Sequence, residues 1–302
     1  MTRTVDRAAS RPAPRPARGE PANTAIPKLL SLCGDRILAL SLRLCRNAAD
    51  ADDLVQEAFL RALRSWSQFR GDSDPCTWMY AIALNTWRSR QVRKGGIDRR
   101  TPALSQILPW GETSISELAL SPRDQDAAAD RRRAVARVQA AIMDLPEHWR
   151  LPLVLKDVFG VTVADVGAAL GLAENTVKTR LHRARLSLRK AMLETVTLAE
   201  APAPIFDKQV CVDLLRAKME AMDRGGASAG FGVPRAELCA RCRGVFSEFD
   251  LVQGACADLA SARLSPQLRA RIKEMLAKVG AVTVRRSPTR RGRKPVRTSG
   301  VQ

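Results

Sequence analysis

The segment from Thr162 to Met192 constrains the fold more than any other part of the chain. Thr162 and Asp165 have the spacing of a capping box, which predicts the start of a helix, and Gly171 predicts a sharp turn at its end. A second helix is predicted from Glu174 to Met192, a stretch without glycine or proline. Its apolar residues recur at helical spacing in one narrow stripe: Val177, Leu181, Ala184 and Leu188. Two helices joined in this way form a helix-turn-helix unit.

The second of these helices is strongly basic. It carries seven basic residues when His182 is included, and they flank the apolar stripe on both sides. In a helix-turn-helix unit the second helix enters the major groove of DNA, with its N-terminal residues nearest the bases. We therefore expect contacts with bases or phosphates in the first turns, and phosphate contacts further along. The first set is Asn175, Thr176, Lys178, Thr179 and Arg180, and the second is Arg183 and Arg185.

The overall charge favours the same kind of partner. The 302 residues have a formal net charge of +19 and a sequence pI near 10.7, which is typical of proteins that bind nucleic acid. The chain contains no apolar run long enough to span a membrane, and its N-terminal segment lacks the apolar core of a secretory signal. A cytoplasmic protein without a membrane partner is therefore expected. With two histidines and no Ser/His/Asp set or glycine-rich phosphate loop, the sequence does not indicate an enzyme.

Helical periodicity, with no convincing strand alternation, predicts an all-α fold. Breaks in composition divide the chain into six parts. The predicted parts are a disordered basic arm (1–26), a helical domain (27–96), a linker (97–126), a second helical domain with the helix-turn-helix (127–197), a small cysteine-containing helical unit (205–280) and a disordered basic tail (281–302).

Two segments carry a specific resemblance. LPEHWRLPLVLKDVFGVTVADVGAALGLAENTVKTRLHRARLSLRK resembles region 4 of bacterial sigma-70-family factors, and DADDLVQEAFLRALRSWSQFRGDSDPCTWMYAIALNTWRSR resembles their region 2. Both regions in this order, with a linker between them, are similar to the extracytoplasmic-function (ECF) group. The resemblance implies a sigma factor that binds the clamp and flap of core RNA polymerase, reads the −35 and −10 promoter elements and melts DNA. Its implied partners are double- and single-stranded promoter DNA and an anti-sigma factor, and it needs no cofactor.

The resemblance also implies roles within region 2. The acidic face around DLVQE, formed by Asp52, Asp53, Gln56 and Glu57, would dock on the basic coiled coil of the polymerase clamp. The alternative is that Asp52 and Asp53 merely stabilise the start of a helix. A flipped base of the −10 element would be held by Phe69, Arg70 and Asn85, with Arg88 on the DNA backbone. The neighbouring Trp78 is better explained as a core residue than as a platform for bases.

The third unit contains Cys211, Cys239, Cys242 and Cys256. Their spacing resembles the zinc-binding anti-sigma domain, but Arg235 stands where that domain has a histidine ligand. Three interpretations remain open: Cys256 completes a four-thiolate zinc site, the thiols form a redox pair, or the metal site is degenerate. In each case the unit is expected to regulate the sigma domains in cis. Two rival functions are a stand-alone helix-turn-helix regulator, and a metal- or redox-responsive interaction protein.

Overall fold

The computed structural model describes residues 14–45, 47–93, 107–109, 114–116, 127–194, 198–200, 202–225 and 232–285. These residues are almost entirely helical, as the sequence predicts. Ten α-helices follow one another along the described chain: α1 (Ala22–Leu44), α2 (Ala48–Ser65), α3 (Pro75–Arg93), α4 (Ala127–Asp144), α5 (Glu147–Leu153, continued by a π-helical turn at Val154–Val158), α6 (Val163–Leu170), α7 (Glu174–Leu193), α8 (Lys208–Arg224), α9 (Ala240–Asp258) and α10 (Pro266–Arg285). Short 3₁₀ turns lie at Trp66–Gln68 and Arg235–Glu237.

The first three helices pack against one another as a bundle. Helix α2 begins where the side chain of Asn47 accepts a hydrogen bond from the backbone N–H of Asp50 at 2.7 Å. Its apolar stripe, which includes Leu54, Val55 and Phe59, is fully buried. The stripe leaves the polar residues of α2 on the outer side of the bundle.

The second helical domain contains the predicted helix-turn-helix. Thr162 caps α6 by accepting from the N–H of Asp165 at 3.1 Å, and its hydroxyl donates to the Asp165 carboxylate at 2.8 Å, which confirms the predicted helix start at Thr162. Gly171 ends α6 in the left-handed conformation, with φ of 67°. Gly167 is also required, because a Cβ there would lie 2.7 Å from the carbonyl oxygen of Leu172. The turn between α6 and α7 is therefore tightly packed.

The C-terminal helices do not form a separate body. Helix α9 packs against α4, the π-helical turn and α7, and α10 packs against α1 and α2. One unit thus contacts both sigma-like domains. At the α7–α9 contact, Nε of Arg189 donates to the Glu248 carboxylate at 2.5 Å, and both side chains are buried.

The structure corrects the sequence prediction at two boundaries and in one element. Helix α1 begins at Ala22, so the arm predicted for 1–26 is wrong at its C-terminal end, where Ala25 and Ile26 are buried in the core. Helix α10 continues to Arg285, beyond the predicted end of the third unit. Two short strands, β1 (Ser114–Ser116) and β2 (Leu198–Glu200), pair in antiparallel fashion although no strand was predicted. Residues 1–13 and 286–302 lie outside the described residues.

The buried contact between α7 and α9 predicts the effect of one substitution. Glu248→Ala removes the carboxylate from the fully buried guanidinium of Arg189, and loss of one partner of a buried ion pair costs about 3–5 kcal/mol. Urea denaturation should therefore show a lower free energy of unfolding. Glu220→Ala, at an exposed position on α8, is the matched control and should change it little. Equal effects of the two substitutions would contradict a stabilising role for Glu248.

Candidate nucleic-acid and polymerase interfaces

The N-terminal half of α7 presents a polar surface to solvent. Of the residues predicted to contact DNA there, Asn175, Thr176, Lys178 and Thr179 are exposed and Arg180 is half-exposed. Val177 is fully buried beneath them and fixes the rotation of the helix. The Thr179 hydroxyl donates to the carbonyl of Asn175 at 2.9 Å. This end of the helix has the geometry needed to enter a DNA groove.

The predicted role of Arg185 as a DNA contact is wrong for this arrangement. Its side chain is 1% exposed and donates two hydrogen bonds to the Asp157 carboxylate, at 2.7 and 2.8 Å. A third donor contacts Asp223 of α8 at 2.7 Å. Burial alone would lower the pKa of Arg185, but the two carboxylates raise it above its ordinary value. Arg185 is thus a permanent cation that joins region 4 to the C-terminal unit, whereas Arg183 remains half-exposed.

The acidic face of α2 is accessible to solvent, and one of its residues is fixed by two arginines. Asp53 is exposed, while Asp52, Gln56 and Glu57 are half-exposed. Glu57 accepts from Arg61 at 2.7 Å and from Arg90 of α3 at 2.8 Å. Burial raises the pKa of Glu57, but these two arginines outweigh it and hold the pKa below its ordinary value. Glu57 therefore stays ionised, and its charge is paired with Arg61 and Arg90 within the same bundle.

The residues predicted to hold a −10 base fall into two groups. Phe69 is 8% exposed and stacks on Trp66 at a centroid distance of 4.9 Å, with the half-buried Trp78 at 5.4 Å. This aromatic cluster belongs to the core, so the structure does not leave Phe69 open for a base. Arg70 and Asn85 are exposed, and Arg88 is half-exposed.

The second helical domain lies directly against α1 and α3 of the first. Arg36 of α1 donates to the carbonyl oxygen of Phe159 at 2.8 Å, and the rings of Phe159 and Tyr80 lie 5.5 Å apart. Arg88 also contacts Glu147 at 3.4 Å. Helix α6 packs against α3. The two helical domains are therefore in direct contact with each other in this structure.

The cysteines do not converge as a four-thiolate site. The sulfur atoms of Cys211 and Cys242 are 3.8 Å apart, and the Cys239 sulfur accepts from the N–H of Cys242 at 3.4 Å. Cys256 lies 14 residues after Cys242 on the same helix, which places it roughly 21 Å away at 1.5 Å per residue. Ligands of one zinc ion must lie within a few ångströms of each other, so Cys256 cannot complete the set.

The described residues contain no group of three or more His, Cys, Asp or Glu side chains that could hold a metal ion. The described residues therefore give no support to a zinc site in the third unit. The same part of the chain contains no helix long and apolar enough to cross a membrane.

Several residues that hold these interfaces together could not be identified from the sequence alone. Asp157, Arg36 and Arg90 act through partners that are 28, 123 and 33 residues away, respectively, in the chain. Their neighbours in sequence show an ordinary helical pattern, so periodicity alone could not identify them.

The geometry agrees with the family comparisons. The family model for sigma-70 region 2 matches residues 29–96, and that for sigma-70 region 4 matches residues 136–188. The chain therefore belongs to the bacterial sigma-70 family of transcription initiation factors. Its relatives place it in the ECF group.

Two relatives and one solved structure illustrate this similarity. RNA polymerase sigma-H factor of Pseudomonas aeruginosa is 34% identical over 158 residues, which cover 52% of this chain and 80% of the relative. ECF RNA polymerase sigma factor SigW of Bacillus subtilis is 30% identical over 168 residues, covering 56% of this chain and 89% of the relative. The structure of CnrH in complex with the cytosolic domain of CnrY matches with 23% identity and a TM-score of 0.40, covering 58% of this chain and 94% of that one.

Charge removal at the exposed part of α7 should separate DNA binding from folding. Arg180→Ala with Arg183→Ala is expected to weaken binding of a −35 duplex, by about 1–3 kcal/mol for each contact that is base-specific. Fluorescence anisotropy at fixed salt measures the affinity. Lys190→Ala, an exposed cation near the other end of α7, is the matched control and should bind almost normally. Unchanged affinity in the double variant would show that this surface does not contact the −35 element.

Proposed function

We propose that this sigma factor is kept closed by its own C-terminal unit, which inhibits promoter binding in cis until core polymerase displaces it. The observation that carries the proposal is that one unit, α8–α10, packs on region 4 and on region 2 at the same time. Such a unit opposes separation of the two domains. The protein would act in the cytoplasm, where its polymerase partner is found.

The contact with region 4 is made through the helix that would read DNA. Arg185 and Arg189 of α7 pair with Asp223 of α8 and Glu248 of α9. Both arginines are less than 2% exposed. The N-terminal half of α7 stays exposed. The C-terminal unit therefore binds this helix without covering its proposed −35 surface.

The contact with region 2 centres on Asp35 of α1. Its carboxylate accepts from the backbone N–H of Leu264 at 3.0 Å and from Arg269 at 2.7 Å. The Arg43 side chain donates to the carbonyl oxygen of Leu259 at 3.0 Å. Gly34 allows the close approach, because a Cβ there would lie 2.7 Å from a methyl group of Leu264.

The remaining roles follow the two exposed surfaces. Asn175, Thr176, Lys178, Thr179 and Arg180, with Arg183, are proposed to contact the −35 element. Arg70, Asn85 and Arg88 are proposed to contact the −10 element after region 4 has moved away from α3. The acidic face of α2 is proposed to bind the polymerase clamp. A stand-alone helix-turn-helix regulator is less well supported, because such a protein does not need a region 2.

Clamp binding should depend on charge at Asp53. Asp53→Lys places a cation opposite a basic coiled coil and is expected to reduce co-purification with core polymerase by at least tenfold, since like-charge contacts cost several kcal/mol. Glu220→Lys reverses a charge at an exposed position of α8 and serves as the control. If both variants bind polymerase equally well, the acidic face of α2 is not the docking surface.

Removal of the C-terminal unit should activate the protein. A chain ending at Glu200 is expected to give more run-off transcription with core polymerase than the full chain, because its two domains can separate freely. Full-length Arg269→Ala with Glu248→Ala weakens both contacts of the unit and should change transcription in the same direction. Equal activity of the truncated and full chains would rule out inhibition in cis.

A further inference from the structure

The residues that precede α1 form a hydrogen-bonded turn. The N–H of Glu20 donates to the carbonyl oxygen of Ala17 at 3.2 Å, and the N–H of Ala17 donates to the Glu20 carboxylate at 3.0 Å. Gly19, the third residue of the turn, has φ of 78°, a conformation that favours glycine. Arg18, the second residue, therefore lies at the tip of a defined turn.

Two contacts attach this N-terminal segment, residues 14–21, to the first helical domain. The Trp66 side-chain N–H donates to the carbonyl oxygen of Glu20 at 2.7 Å, and Trp66 itself is buried. The Glu20 carboxylate pairs with Lys28 of α1 at 2.6 Å. Pro16 is also buried. The core of region 2 therefore sets the position of the N-terminal segment.

The N-terminal segment lies along the loop between α2 and α3, which contains Arg70 of the proposed −10 surface. The Cβ and Cδ atoms of Arg18 lie 3.8 and 3.7 Å from the position that a Cβ on Gly71 would occupy. The aliphatic stem of Arg18 is thus held against the loop, one residue from Arg70. Arg18 nevertheless remains exposed to solvent, as does Arg70.

A second arginine of the N-terminal segment neutralises an aspartate of the loop. The Asp74 carboxylate accepts from the N–H of Cys76 at 2.8 Å and so fixes the start of α3. Its other oxygen lies 3.2 Å from Nη1 of Arg15. The loop 69–74 has one arginine and two aspartates, a net charge of −1, which becomes +1 when Arg15 and Arg18 are added. The two arginines therefore change a loop that repels phosphates into one that attracts them.

We infer that Arg18 is a further DNA contact of the −10 site, held over the loop by the N-terminal segment so that its guanidinium binds a phosphate of the melted strand. The planar guanidinium group matches the geometry of phosphate oxygens. The inference rests on the proposed function, since it adds a residue to the −10 surface of Arg70, Asn85 and Arg88. Arg18 lies 11 residues before the start of the region 2 family match at residue 29, so region 2 alone does not supply this contact.

Binding of partly melted promoter DNA to the holoenzyme tests the inference. The probe is a promoter that the unchanged holoenzyme selects from a library of −35 and −10 sequences, with its −10 non-template strand left unpaired. Arg18→Ala should weaken binding several-fold and reduce the magnitude of the slope of log K against log salt concentration by about 0.7, the value for one phosphate contact on single-stranded DNA. Arg18→Lys keeps the charge and should retain most of both. Arg64→Ala removes an exposed cation of α2 and is the matched control, which should change neither.

An unchanged salt dependence in Arg18→Ala, or an equal loss in Arg64→Ala, would overturn the inference. Reduced co-purification of Arg18→Ala with core polymerase would also overturn it, because Arg18 would then contact the polymerase. Arg88→Ala in the same assay separates this from failure of the proposed function. If Arg88→Ala weakens binding and Arg18→Ala does not, only the role of Arg18 is wrong. If neither has an effect, the proposed −10 surface is itself wrong.

Discussion

The arrangement of the whole chain depends on two buried guanidinium groups of one helix. Arg185 and Arg189 leave water completely, and removing a charged group from water is favourable only when carboxylates replace the lost hydration. Asp157 supplies one such carboxylate from within region 4, while Asp223 and Glu248 supply the others from the C-terminal unit. Because the partners come from three separate segments, this one face of α7 fixes the position of α8 and α9. The same C-terminal unit reaches region 2 through α10, which packs against α1 and α2.

The sequence predicts local structure well where the signal lies within a few residues. The helix start at Thr162, the left-handed turn at Gly171 and the apolar stripe of α7 all have this character. Arg185 shows the opposite case: it lies in a basic helix and was expected on DNA, but carboxylates 28 and 38 residues away bury it. Phe69 was similarly expected to hold a base, and packing with Trp66 and Trp78 explains why it does not. The sequence therefore predicts which kind of site the chain has. Which residues belong to that site depends on long-range packing, which the sequence does not reveal.

The closed state also explains how a binding partner can control DNA recognition without touching the −35 surface. A partner that binds better when the two domains are apart must weaken docking of the C-terminal unit. By the same factor, stronger docking of that unit must lower the affinity for the partner. The contacts of α9 with region 4 and of α10 with region 2 both contribute to this coupling. Polymerase would then act as both the partner and the trigger of opening.

The order of the segments along the chain has a consequence for timing. Glu248 follows its partner Arg189 by 59 residues, and Arg269 follows Asp35 by 234. At about 5–20 residues per second, a ribosome needs about 3–12 s to add those 59 residues, so regions 2 and 4 are synthesised first. Under the proposed inhibition in cis, each new molecule would therefore pass through a brief period in which regions 2 and 4 exist and the C-terminal unit does not. Polymerase that meets a nascent chain in this period would have to separate only the direct contacts between regions 2 and 4, such as that of Arg36 with Phe159.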